Sequence, residues 1–104
     1  MVTQQAVIEE VKEFAKEVKA LGLHLRKVYL YGSYAKNQQQ EYSDIDVALV
    51  ADEFVGIGFD DIDLFGKVLI KHILIQPKTY PTAYFEKGDP FIDEIKRTGI
   101  MIDA

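Results

Sequence analysis

A glycine and a serine at positions 32 and 33, followed after ten residues by Asp44-Ile45-Asp46, form the most chemically loaded stretch of this sequence. A glycine that closes a strand lets the backbone approach a phosphate closely and adopt dihedral angles other residues avoid. Ser33 then opens a helical turn, where free N–H groups and a hydroxyl can hold phosphate oxygens. Asp44 and Asp46 are two apart at the start of a strand, so both project from one face. Their Cα atoms should lie about 6.6 Å apart, at roughly 3.3 Å per residue. Two carboxylates converging in this way suit magnesium, a hard ion that takes one or two carboxylates together with substrate phosphate oxygens. A pair of such ions can stabilise the attacking and leaving oxygens of an in-line displacement. An ordinary turn before an edge strand would explain Ser43 and Asp44 but not Asp46, since an acid just inside an apolar strand is costly without a cation or hydrogen-bond partner.

The flanking patterns supply the elements that hold these groups. Val28-Tyr29-Leu30-Tyr31 is a β-favouring run ending at Gly32, and Ser33 to Asn37 reads as a short helical turn. Gln38 to Ser43 is a polar loop, and Ile45 to Ala51 a second strand that starts polar on one face and becomes apolar on both. Val7, Val11, Phe14, Val18 and Leu21 follow helical spacing and predict a helix over residues 4–21, with Thr3 as N-cap and Gly22 as C-cap. Gly56-Ile57-Gly58 is a loop. The pattern then predicts one helix from Asp60 to about His72, with Asp60, Asp61 and Asp63 in its first turn, where acids suit the helix dipole. Ile73 to Lys78 reads as a third strand closed by Pro77 and Pro81. Asp89-Pro90 opens a last helix capped by Gly99, followed by a short strand at Ile100-Met101-Ile102. The fold class is therefore α/β (α+β), a small mixed β-sheet flanked by helices.

Composition narrows the partners. The 104 residues suit a single domain, 1–104, and 48% of them are apolar, enough for one core. A net charge of -5 argues against a nucleic-acid backbone as the main partner, but not against a single nucleotide met by a metal and backbone amides. No cysteine is present, and the N-terminus lacks a basic region followed by an apolar run. Apolar stretches reach only about five residues, against roughly 20 for a bilayer span, so the expectation is a cytoplasmic protein with no membrane association. Six Tyr and six Phe are more than one small core encloses easily, which predicts a partner-binding surface, open to self-association as a homo-oligomer when the partner is absent.

Gly32-Ser33-Tyr34-Ala35 followed by Ser43-Asp44-Ile45-Asp46-Val47 resembles the nucleotidyltransferase signature of the DNA-polymerase-beta superfamily. The short length and the ending from Pro90 to Ile100 resemble the minimal nucleotidyltransferases of prokaryotes, which often act as antitoxins beside a helical HEPN partner and in some cases transfer AMP from ATP to a tyrosine of that partner. The resemblance covers most of the chain and is specific over residues 32–47. It implies a polymerase-beta-like palm that uses ATP and magnesium. Gly32, Ser33 and Lys36 would bind the nucleotide, and Asp44 and Asp46 would hold the metal and take part in catalysis. Relatives usually add a third carboxylate from a neighbouring strand, often just before a proline. Gln76, before Pro77, occupies that place and lacks the charge of a base or strong magnesium ligand. Asp52 shares strand parity with Asp46 but should lie roughly 20 Å further along. Asn37 stands where such sequences often carry glycine, a change its tolerance of left-handed backbone allows. His24 and His72, 48 residues apart with no cysteine nearby, give little support to a zinc site. The implied activity is magnesium-dependent AMP transfer from ATP to an acceptor on a partner protein, since little sequence remains for an acceptor-binding domain. The alternative is a catalytically weak or inactive module that neutralises a HEPN-type toxin by contact.

Overall fold

Apolar residues at helical spacing make Gln4–Ala20 a helix, α1, in the computed structural model, which describes residues 3–40 and 43–102 of the chain. Thr3 caps it by accepting a hydrogen bond from Ala6 N–H at 3.1 Å, and Gly22, at φ +95°, follows its C-terminus. Four strands form one sheet in the order β3-β2-β1-β4: β1 is Leu25–Tyr31, β2 Ile45–Ala51, β3 Ile75–Pro81 and β4 Ile100–Met101. β1 runs antiparallel to β2 and to β4, whereas β2 and β3 are parallel, so the sheet is mixed as the sequence predicts.

Strand parity sorts the side chains into two layers. Val28, Leu30, Ile45, Val47 and Leu49 face α1 and pack with Val7, Val11, Phe14 and Val18. On the other face, Tyr29, Ala48, Val50 and Tyr80 pack under two short helices, α4 (Thr82–Lys87) and α5 (Pro90–Thr98), through Phe85, Ile92 and Ile95. Two layers enclose more aromatic surface than the sequence reading allowed. Phe14, Phe54, Phe65, Phe85, Tyr29, Tyr34 and Tyr80 are all buried, while Phe59, Tyr84 and Phe91 remain exposed. Among the described residues no helix is long and apolar enough to cross a membrane.

The parallel pairing of β2 with β3 requires a crossover, and here the structure departs from the predicted single helix at 60–72. It holds two short helices, α2 (Gly58–Ile62) and α3 (Gly66–Leu69), broken where Phe65 turns into the core beside Phe14 and Phe54. Asp60 and Asp61 lie in the first turn of α2 as predicted, but not all three acids do. Asp63 sits at the C-terminal end of α2, and Asp61 is buried. The Asp61 carboxylate accepts hydrogen bonds from Val55 N–H and Gly56 N–H, both at 2.9 Å, and from the Thr79 hydroxyl at 2.7 Å, pinning the 55–56 loop to β3. Asp61→Ala should destabilise the protein by about 2–3 kcal/mol, because the Thr79 hydroxyl stays buried without a partner while the exposed loop amides regain water. Urea unfolding checks this; a change within roughly 0.5 kcal/mol, typical of neutral surface sites, would show that the pin is dispensable.

β3 also starts two residues later than predicted and runs through Pro77 to Pro81. As an edge strand it pairs only with β2, and an outward-facing N–H can be missing there without loss of a ladder bond. His72 is buried at the core edge between α1 carboxylates, with Nδ1 3.2 Å from Glu10 and Nε2 2.8 Å from Glu17. His24 is exposed and paired with Glu53.

Candidate active site

The sheet brings the motif residues together at one end. β1 finishes at Tyr31, in register with Asp46 near the start of β2, and Asp46 is in turn in register with Gln76 of β3. By strand parity, Tyr31, Asp46 and Gln76 lie on the face opposite α1. Gly32 follows with φ +77°, and a Cβ built there would meet Asp46 Oδ2 at 2.3 Å. Two independent constraints therefore demand glycine: the left-handed backbone and the carboxylate pressed against its α-carbon. Gly32→Ala should lower stability by about 1–3 kcal/mol, the usual range for a strained left-handed residue, and displace the Asp46 carboxylate. In an Asp46→Ala background the same substitution should cost less, since only the backbone strain remains. Equal costs in both backgrounds, measured by thermal melts, would show that the contact is unimportant.

Ser33 to Asn37 form the predicted turn. Lys36 N–H bonds to Gly32 O at 3.2 Å and Gln38 N–H to Ser33 O at 2.8 Å, so the preceding amides of Ser33, Tyr34 and Ala35 are those a helical turn leaves open. Asn37 takes φ +55°, the left-handed conformation its side chain tolerates. Buried Tyr34 anchors the turn from below, and α1 ties it down: Gln4 Nε2 donates to Tyr34 O at 2.8 Å and to Ala35 O at 3.3 Å. The Gln4 tether was not legible in the sequence. Of the predicted Gln38–Ser43 loop, residues 41 and 42 lie outside the described residues.

Asp44 is exposed at the mouth of the site and Asp46 half-buried behind it. Burial first, and then the charge of Asp44, hold the Asp46 carboxyl above its ordinary pKa, so the two acids feel each other. Tyr31 is affected too: burial, then the Asp46 charge, push its hydroxyl up to about 12. Lys36 is exposed on the turn. Its charge adds a lesser contribution to the hydrogen bond from Arg97 that holds the Glu94 carboxyl of α5 below its ordinary value. Asp52 lies at the far end of β2, hydrogen-bonded to Arg26 and to the Thr82 hydroxyl at 2.7 Å. These bonds pull its pKa down to about 2, and its role there is structural. Among the described residues no cluster of three or more His, Cys, Asp or Glu could hold a metal, so none of them supplies a third acid in place of Gln76.

Three residues of this face went unread in the sequence. Phe91 of α5 packs edge-on against Tyr31 at 5.8 Å, and Lys78 places its ammonium over the rings of Phe91, at 5.4 Å, and Tyr80, at 5.8 Å. The signal was available: Gln76, Lys78 and Tyr80 alternate along β3 and share one face.

A mixed four-stranded sheet with a glycine-serine turn facing two carboxylates at its end defines a nucleotidyltransferase palm. The chain belongs to the nucleotidyltransferase domain family, whose model matches residues 11–101, and it is an enzyme of that type. It is 32% identical over 100 residues, 92% of this chain and 98% of the other, to MJ0141 of Methanocaldococcus jannaschii, which carries the provisional name protein adenylyltransferase. A second protein of that organism with the same provisional name, MJ0604, is 39% identical over 60% of each chain. The fold is similar to that of a protein from Sulfolobus solfataricus provisionally named a nucleotidyltransferase, at TM-score 0.70 and 22% identity, covering 94% of this chain and 80% of that one. It is also similar to a chain of a toxin-antitoxin crystallised with AMP-PNP, at TM-score 0.63 and 18% identity, covering 86% and 70%.

Proposed function

We propose that residues 1–104 form one cytoplasmic nucleotidyltransferase domain that moves AMP from ATP, with magnesium, to an acceptor on a HEPN-type helical partner, as an antitoxin does. The observation that carries this reading is the Asp44/Asp46 pair, close enough for the charge of Asp44 to act on Asp46, with Asp46 pressed against Gly32 at the start of the turn. A metal-free pair of this kind is under electrostatic strain that a divalent cation relieves. Magnesium, when bound, neutralises charge on the phosphates being parted.

The remaining work falls to the protein's own groups. The Ser33 hydroxyl and the open amides of its turn hold the β- and γ-phosphates, and Lys36 adds a positive charge beside them. Asp44 and Asp46 fix the metal and so the α-phosphate. Catalysis on this plan is mostly positioning and charge stabilisation. The exposed rings of Phe59, Tyr84 and Phe91 meet the partner, or a second copy in its absence.

A second reading rests on Gln76. With an amide in register beside Asp46 where relatives place an acid, the protein binds nucleotide weakly and neutralises its partner by contact alone. One experiment separates the two: incubation with α-labelled ATP, magnesium and the product of the adjacent gene. The first reading expects label on the partner, lost when magnesium is chelated. Complex formation without label on either protein would leave the second.

A further inference from the structure

Away from the catalytic end, the crossover between β2 and β3 presents apolar side chains to water. Val55, Ile57 and Phe59 are 60%, 56% and 88% exposed, and Leu64 is exposed beyond them. Val55 and Gly56 belong to the loop that the buried Asp61 carboxylate ties to Thr79 of β3. Thr79 is three residues beyond Gln76, so the tie lies about 10 Å along the sheet from the level of Asp46, at roughly 3.3 Å per residue. We propose that this face docks a cationic segment of another protein, one whose apolar stripe is flanked by Lys and Arg. It narrows the partner surface proposed above and stands apart from the chemistry of the carboxylates.

The backbone holds these side chains outward. Asp61 engages Val55 N–H, Gly56 N–H and the Thr79 hydroxyl at once. Gly56 takes φ +86°, and a Cβ built there would meet Pro81 Cδ at 3.3 Å, so the loop lies tight against the end of β3. Asp61 points inward from α2, and Phe59 and Asp63, two residues to either side of it, project the opposite way. A face already ordered loses little conformational freedom on binding, and the apolar surface it buries drives the association.

Charge names the occupant. Between Lys36 and Lys67 the sequence places eight of the chain's 17 acids, none of its 12 Lys and Arg, and neither His. Arg26 of β1 and the adjoining His24 reach this segment, but they pair with Asp52 and Glu53. Among the described residues no ion pair neutralises Asp60 or Asp63, both exposed beside Phe59. In a two-fold pairing of this face with a second copy, the two acids would meet their own counterparts, and like charge opposes it. Nucleic acid and an anionic lipid surface are opposed for the same reason. An added strand does not fit, since the neighbouring edge strand carries Pro77 and Pro81. A segment with aliphatic side chains set between Lys and Arg matches both halves of the face, apolar on apolar and cation on carboxylate.

The test is amide NMR with a helical peptide of leucine and lysine, its leucines along one side. It should shift Ile57, Phe59, Asp60 and Asp63 and leave Gly32 and Ser33 unmoved. A leucine–glutamate peptide with the same leucine positions, and a lysine–serine peptide of the same charge, should each bind about tenfold more weakly or worse. Phe59→Ser should weaken the leucine–lysine peptide about tenfold, the usual scale for losing one aromatic anchor, with the fold kept because the ring is exposed. Asp60→Lys combined with Asp63→Lys should turn the preference to the leucine–glutamate peptide. Equal binding by the lysine–serine peptide would reduce the face to plain charge attraction and overturn the proposal. So would shifts centred elsewhere, or the absence of any shift. A dimer seen in sedimentation and lost in Phe59→Ser would give the face to a second copy, which overturns it too. Magnesium and ATP are titrated into the same samples. No binding there strikes the transferase reading and leaves the docking face, whereas a silent loop beside intact nucleotide binding strikes the docking face alone.

Discussion

Asp46→Asn should abolish magnesium-dependent ATP binding and cut any AMP transfer by roughly a hundred- to a thousand-fold, the kinetic equivalent of the several kcal/mol a catalytic metal contributes. The same substitution should leave the metal-free protein as stable as wild type, or more stable. Both outcomes follow from one geometry. Burial and the neighbouring Asp44 disfavour the charged Asp46 carboxylate, so in the absence of a cation the fold carries a group it would rather protonate. The folded-state pKa is raised, hence this acid's contribution to stability is full below the ordinary carboxylate pKa and is lost as pH rises through its raised value. Asp46→Asn removes that dependence. Other acids, among them Asp52, Glu53 and Glu94, are shifted down and push the opposite way, so the quantity to measure is the difference in melting temperature between wild type and variant across pH. That difference should grow in the variant's favour as pH climbs from acid towards neutral, and magnesium should erase it by stabilising wild type alone. Unchanged ATP affinity in the variant, measured by calorimetry, would remove Asp46 from the site.

The parts of this fold legible in the sequence are those fixed by local chemistry. The first helix announced itself through apolar spacing and its Thr3 cap. The last did so through Asp89-Pro90, where the Asp89 carboxylate accepts from Ile92 N–H at 2.8 Å. The meeting of Gly32 with Asp46 at the candidate site was legible for a similar reason: only one turn and one loop separate them in sequence, and the turn chemistry of each is local. What stayed hidden depends on long-range partners. Asp61 looked like a dipole acid because nothing local reveals that Thr79, from the edge strand, will meet it. Pro77 seemed to end a strand, since its tolerance depends on which strands flank it, and only topology decides that. α4 was missed because its Tyr84-Phe85 pair favours strands, and the helix exists to lay Phe85 over Tyr29 and Tyr80. The face carrying Lys78 and Phe91 was hidden for the same reason, since their shared site is assembled by the sheet and α5 together.

Gln76→Glu should raise AMP transfer, and the gain should come with a measurable loss of metal-free stability. Register settles the place of the new carboxylate: Gln76 is the partner of Asp46 across β2 and β3, and both lie on one face of the sheet. A glutamate there would add a negative charge beside Asp46, within reach of a metal that Asp44 and Asp46 would hold on the proposed reading, or of the entering hydroxyl, whose proton the amide cannot take. General-base groups typically contribute about 10²–10⁴-fold, and a graft onto an unprepared setting recovers part of this, because the side chain must be held in its working rotamer by neighbours. Gln76 is exposed, so the new side chain has few contacts to hold it, and an increase at the low end of that range is expected. The stability loss follows from electrostatics: a third acid would join two that already repel, raising the Asp46 pKa further and lowering the melting temperature near neutral pH without magnesium. Adding magnesium should restore it, by more than the same addition does for wild type. The informative comparison is transfer rate and magnesium-induced stabilisation in one set of samples. If stabilisation by magnesium grows while transfer stays flat, the position is a metal ligand and the missing base is not what limits the rate. If neither changes, and wild type already transfers AMP briskly, Gln76 does not stand in the third acid's place.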